Sequence, residues 1–172
     1  MKANRLPEEL LSLRDVIRWG VSQFNQAELF YGHGMGSALD EVVYLCLHGL
    51  HLPPDFPESY FDTRLSAEEK QVVFNLLSRR INQKIPAAYL TGEAWFAGLP
   101  FVVNENVLIP RSPIAELIEK RFEPWVEAES VESILDLCCG SGCIGIASAY
   151  AFDWASVDMV DISPHAIEVA EE

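Results

Sequence analysis

Leu10, Leu13, Ile17, Val21 and Phe24 recur at intervals of three or four residues, the spacing of one helix face. They predict an amphipathic helix over roughly residues 7–26. Tyr31-Gly-His-Gly-Met-Gly36 interrupts the pattern. Leu39, Val42, Val43, Cys46, Leu47 and Leu50 resume it as a second helix, and Pro53, Pro54 and Pro57 punctuate the next loop. Ser66-Ala-Glu-Glu69 has the form of a capping box, in which hydroxyl and carboxylate cover free backbone donors. It opens a third helix with Val72, Val73, Leu76, Leu77 and Ile81 on its inner side. Residues 1–90 are expected to form a small helical domain.

From Trp95 the period changes to that of a strand. Residues 94–103 and Val107-Leu-Ile109 read as two strands, with Asn104-Glu-Asn106 as the turn of a hairpin. Pro110-Arg-Ser-Pro113 ends it, and Ile114, Leu117, Ile118 and Phe122 suggest a helix. An α/β alternation follows: strand 131–137, a glycine turn, helix 142–151, strand 156–161, and a helix from Ser163. Ser163-Pro164 supplies an N-cap and a proline at the first helical position.

The 172 residues, 49% hydrophobic and 22% charged, suit a soluble globular protein with a real core. No apolar run approaches the ~20 residues of a membrane-spanning helix, so no membrane role is expected. The N-terminus lacks a secretory signal's apolar core, which makes the cytoplasm the expected compartment. Cys46, Cys138, Cys139 and Cys143 do not resemble a disulfide framework. The last three bunch around one turn without a second Cys/His pair at zinc spacing. They are read as small packed side chains, with no metal expected. His33, His48 and His51 sit at no ligand spacing and are assigned no function.

Charge divides the chain unevenly. Residues 1–110 carry 13 acids and 9 bases, whereas 111–172 carry 13 acids and only 3 bases. Such a surface repels phosphate backbones, so direct nucleic-acid binding is not expected. It attracts a basic partner.

The chemistry concentrates at Ile134-Leu-Asp-Leu-Cys-Cys-Gly-Ser-Gly-Cys-Ile-Gly145. Glycines between a strand and a helix let the backbone approach a ligand, and the helix start presents unpaired amides. Asp161 closes the next strand, which in a βαβ unit places its carboxylate beside the same crevice, within reach of ribose hydroxyls. Gly140-Ser-Gly-Cys-Ile-Gly145 spells G-x-G-x-x-G, so a nicotinamide dinucleotide is one candidate. Two features favour S-adenosyl-L-methionine. Asp136 at the strand end can address an ammonium group, and Cys138 and Cys139 before the first glycine widen the turn.

Several separate motifs occur here in order: Pro86-Ala-Ala-Tyr-Leu-Thr-Gly92, Phe96-Ala-Gly-Leu-Pro-Phe-Val-Val103, Val107-Leu-Ile-Pro-Arg111 and Leu135-Asp-Leu-Cys-Cys-Gly-Ser-Gly142. Together, from about Arg79 onward, they resemble the protein-glutamine methyltransferases, which methylate a glutamine side-chain amide in release factors or a ribosomal protein. Arg111-Ser-Pro-Ile-Ala-Glu116 looks like the branch acting on the third protein of the large ribosomal subunit, a basic protein substrate. The resemblance implies an α/β fold: an N-terminal helical bundle over residues 1–90 that recognises substrate, and a β-hairpin linker over 91–112. Residues 113–172 are then the first βαβ part of a class I, Rossmann-like S-adenosyl-L-methionine-dependent methyltransferase domain. It assigns the cofactor loop to Cys138, Cys139, Gly140, Ser141 and Gly142, and ribose binding to Asp161, beside the strand-end Asp136.

Two departures stand out. The family has glycine where this chain has Cys138, whose side chain is expected to narrow the loop slightly. The family's acceptor motif, Asn-Pro-Pro-Tyr, is missing, since the chain contains no Asn-Pro pair. The 172 residues are therefore expected to be a piece of a longer enzyme, with no catalytic residue of their own. The alternatives are a release-factor glutamine methyltransferase, a nucleic-acid amino methyltransferase, a nicotinamide dehydrogenase and a non-enzymatic helical interaction module. The acid excess weighs against nucleic acid, Asp136 and the wide turn against the dinucleotide, and the glycine turn against the helical module.

Overall fold

A computed structural model describes residues 5–32 and 34–172, which leaves His33 and residues 1–4 outside the described residues. The chain forms two compact units, Met1–Thr91 and Gly92–Glu172. No helix among the described residues is long and apolar enough to cross a membrane.

The first unit contains α1 (Leu13–Gln26), α2 (Ala38–Gly49), α3 (Ala67–Gln83) and the short α4 (Ala87–Thr91). α1 starts six residues later than its apolar spacing suggests. Ser12 caps it in a box with Asp15, while the Leu13 and Arg14 amides donate to Thr63 and Phe61 carbonyls. Residues before Ser12 therefore stay outside the helix, although Leu6 and Leu10 still reach the core. The capping box at Ser66 and Glu69 forms as expected. α3 is rotated relative to its predicted inner face: Val72 is exposed, whereas Phe74 and Arg80 are buried. Phe24, Val16, Val42, Leu45, Val73 and Leu77 fill the centre. Cys46 lies among them, and burial pushes its thiol up to about 12.

Arg80 owes its burial to Glu41. The two form a salt bridge with side chains only 5% and 6% exposed, joining α3 to α2. Nη2 of Arg80 also donates to the Phe30 carbonyl at 3.0 Å, and Nζ of Lys84 donates to the Ala27 carbonyl. Two cations, one in the last turn of α3 and one at its C-cap, thus tie down the chain between α1 and α2.

The second unit opens on an antiparallel hairpin, β1 (Glu93–Phe96) and β2 (Leu99–Val102), paired from Glu93↔Val102 to Phe96↔Leu99. Its turn is Ala97-Gly98, not Asn104–Asn106. Both turn residues have positive φ, +48° and +76°, the geometry of a two-residue turn whose twist matches the strands. The sequence expectation ran one strand straight through Gly98. Asn104 does make a local turn, its Oδ1 accepting from the Asn106 amide, but Val107 and Ile109 are buried outside any strand. Phe96 and Phe101 share a core with Ile118 of α5 (Ile114–Glu119) and Ala147 of α6 (Cys143–Ala151).

β3 (Ser133–Leu137) and β4 (Ser156–Val160) pair in parallel around α6, and α7 (Pro164–Glu171) follows with Ser163 as its cap. These spans lie within two residues of those expected. α6 covers the sheet face that carries Asp136 and Met159, whereas Leu135 and Leu137 on the opposite face are well exposed.

Arg80→Leu is expected to destabilise the helical unit by about 3–5 kcal/mol, because the Glu41 carboxylate is left buried without its cation. Adding Glu41→Leu should recover much of that loss. Urea melts of the single and double variants check both, and a mild loss in the single variant contradicts the burial cost assigned to the pair.

Candidate functional site

β3 delivers its last residues to a loop that the neighbouring strand holds in place. The Cys138 and Cys139 amides both donate to the Val160 carbonyl, at 2.7 and 3.1 Å. The loop then bends through three left-handed residues: Cys138 (φ +65°), Gly140 (φ +57°) and Gly142 (φ +72°). Gly142 is the N-cap of α6 and offers the helix start no side chain. Ser141 is buried between the two glycines.

Two carboxylates organise this loop. Oδ2 of Asp161 accepts the Gly140 amide at 2.9 Å, and its Oδ1 accepts the Ser163 amide at 2.9 Å. These Ser163 and Gly140 amides hold the Asp161 carboxyl below the usual carboxylate range. Asp136 lies on the helix side of the strand, where Oδ2 accepts the Gly145 amide of α6 at 2.8 Å. The expected neighbourhood of Asp161 and the glycines is therefore present as a direct bond. The bond from Asp136 to the first turn of α6 has no signal in the sequence. Only packing reveals it, since nine residues separate the partners.

Gly145 shows why α6 approaches so closely. A Cβ there would lie 2.7 Å from Met159 Cγ and Sδ and 3.1 Å from Asp136 Oδ2. Gly140 is the opposite case: nothing lies within 4 Å of the Cβ it lacks, so its outer side is open. An open backbone flank, a fixed carboxylate with lone pairs to spare and a helix start without a side-chain cap fit a polar ligand with hydroxyl groups.

Burial pushes the Cys139 thiol up, reinforced by the Asp136 and Asp161 carboxylates, and burial likewise raises Cys143. A raised thiol disfavours the thiolate, the reactive form, at both positions. Cys138 is exposed and holds a positive φ, so it carries backbone strain that a glycine would avoid.

A family model described as methyltransferase small domain matches residues 121–172, the stretch that holds the loop and both carboxylates. This unit is thus part of a methyltransferase domain in a mixed α/β protein. A protein of Bordetella pertussis named ribosomal protein uL3 glutamine methyltransferase is 51% identical over 97% of this chain and 56% of its own length. Its namesake in Xanthomonas campestris pv. campestris is 52% identical over 96% of this chain and 54% of its own. One in Xylella fastidiosa is 50% identical over 96% and 53% respectively. With half its residues shared along nearly its whole length, the chain is similar to proteins named for glutamine methylation. It spans about half the length of the curated relatives it matches.

Gly145→Ala is expected to lower stability by about 1–3 kcal/mol, because its Cβ overlaps Met159. Cys138→Gly should leave stability within ~1 kcal/mol of the parent, since relief at positive φ offsets the added chain entropy. Circular-dichroism melts measure both. A Gly145→Ala melt superimposable on the parent contradicts the close approach of α6.

Proposed function

We propose that this chain carries the cofactor half of an enzyme that methylates a glutamine side-chain amide in a ribosomal protein. The observation that supports it best is the glycine loop after β3, tied through its Gly140 amide to Asp161 at the end of β4. In this reading residues 113–172 begin a class I, Rossmann-like methyltransferase domain. Residues 91–112 link it to a substrate-recognising helical domain over 1–90. The methyl donor is S-adenosyl-L-methionine, which supplies an electrophilic methyl group on a sulfonium.

Asp161 then accepts hydrogen bonds from the ribose hydroxyls on the lone pairs that Gly140 and Ser163 leave free. Cys138, Cys139, Gly140, Ser141 and Gly142 shape the cradle, with glycine backbone exposed toward the ligand. Asp136 sets the start of α6 through the Gly145 amide and lends negative charge beside the donor's cationic end. An amide nitrogen is a poor nucleophile because its lone pair is delocalised, so the reaction depends on positioning and on hydrogen bonds that favour the reacting amide. The substrate is a basic protein, which the acidic balance of residues 111–172 attracts.

Asp161→Ala should weaken S-adenosyl-L-methionine binding roughly ten- to hundredfold, since it removes charge-assisted bonds and frees the Gly140 amide. Gly140→Val should abolish binding while leaving the helical unit folded. Titration calorimetry decides both, and unchanged affinity in either variant defeats the cradle assignment.

No Asn-Pro pair occurs in these 172 residues, so they should transfer no methyl group to a glutamine-bearing ribosomal protein. Lost positioning of the acceptor forfeits up to about 7–11 kcal/mol of barrier reduction. A chain extended through Asn-Pro-Pro-Tyr should restore transfer in a radiolabelled assay. Turnover by the 172 residues alone would place the acceptor chemistry elsewhere.

A further inference from the structure

The end of the methyltransferase unit opposite the glycine loop carries an aromatic surface ringed by acids. Trp125 is 76% exposed, Tyr150 73% and Trp154 46%, an unusual display for large aromatic side chains. The two tryptophans share one foundation. The Trp125 amide donates to the Phe122 carbonyl, Phe122 packs on Phe152, and Phe152 meets Trp154 edge-on with ring centroids 5.8 Å apart. Nε1 of Trp154 donates to the Val131 carbonyl at 2.9 Å, which fixes the indole where the chain enters β3. Trp125 is thus held on a packed base, its ring turned to solvent.

Charge identifies what this surface takes. Residues 121–132 and 150–154 contain five acids and one base. Glu123, Glu127, Glu129, Glu132 and Asp153 are all exposed. The one base, Arg121, already lies over Trp154, its guanidinium carbon 5.3 Å from the ring centroid. The surface therefore shows its own ligand chemistry: a planar cation on an indole face, in a stretch of chain rich in carboxylates. Trp125 carries no such intramolecular cation among the described residues.

We propose that the Trp125–Tyr150–Trp154 surface is a docking site for an arginine- and lysine-rich segment of the protein substrate. The inference rests on the protein-methylation reading above and deepens it. Exposed indoles stack on guanidinium groups, and the flanking carboxylates attract the segment and neutralise it. Glu132 and Asp153 sit just before β3 and β4, whereas the glycine loop follows β3. Five-residue strands separate the two ends by about 16 Å, so a docked segment leaves the donor cradle clear.

The test is fluorescence anisotropy with a labelled Arg/Lys/Gly peptide, an Asp/Glu/Gly peptide and a single-stranded RNA oligonucleotide. The parent chain should bind only the basic peptide, more weakly as salt rises. Trp125→Ala should weaken that binding about tenfold. Glu127→Gln/Glu129→Gln/Glu132→Gln should do likewise and flatten the salt dependence. Equal binding by Trp125→Ala, or RNA binding that Trp125→Ala abolishes, overturns the proposal. S-adenosyl-L-methionine titrations run alongside: donor binding by the parent with no basic-peptide binding removes the docking site alone. Absent donor binding instead removes the cofactor-cradle reading.

Discussion

The pair of hydrogen bonds that Asp161 accepts, from Gly140 on one side and Ser163 on the other, is the constraint on which the site depends. A glycine-rich turn has little conformational preference of its own, and ordering it costs backbone entropy. A single carboxylate offsets part of that cost by fixing both the turn and the start of α7. On the reading proposed above, the side chain that shapes the loop is also the one that meets the ribose hydroxyls.

The rest of the βαβ unit serves that arrangement. The Val160 carbonyl receives the Cys138 and Cys139 amides, so β4 steers the loop before Asp161 reaches it. Asp136 fixes the other end through Gly145, and the missing Cβ at Gly145 lets α6 settle against Met159. Each contact joins residues far apart in sequence, so the loop takes its shape only when both strands are paired. The thiols show the same economy: burial raises Cys139 and Cys143, while the exposed Cys138 bears left-handed strain that glycine would relieve.

The helical unit follows a different logic. Its helices begin where capping side chains and backbone partners place them, at Ser12, Ser37 and Ser66. Among the described residues its buried ion pair is Glu41 with Arg80, and Arg80 also holds the Phe30 carbonyl. A buried pair of this kind adds little net stability over an apolar pair but strongly penalises any packing that separates it. It specifies which faces of α2 and α3 meet, and so accounts for the rotation of α3 from its apolar stripe.

Local signals in the sequence determined much of this protein. Helical spacing, the Ser66–Glu69 box and Ser163-Pro164 located helices because caps and amphipathic faces act within a few residues. The strand–glycine–helix–strand order placed Asp161 beside the loop because a parallel βαβ unit has only one way to fold back. Non-local competition decided the remainder. The hairpin turned at Ala97-Gly98 because two adjacent residues at positive φ suit strand twist better than an Asn-rich turn further on. α1 lost its first residues because Thr63 and Phe61 supplied carbonyls to its opening amides. The partner of Asp136 and the burial of Arg80 arise from side chains that only tertiary packing brings together, which no spacing along the chain encodes.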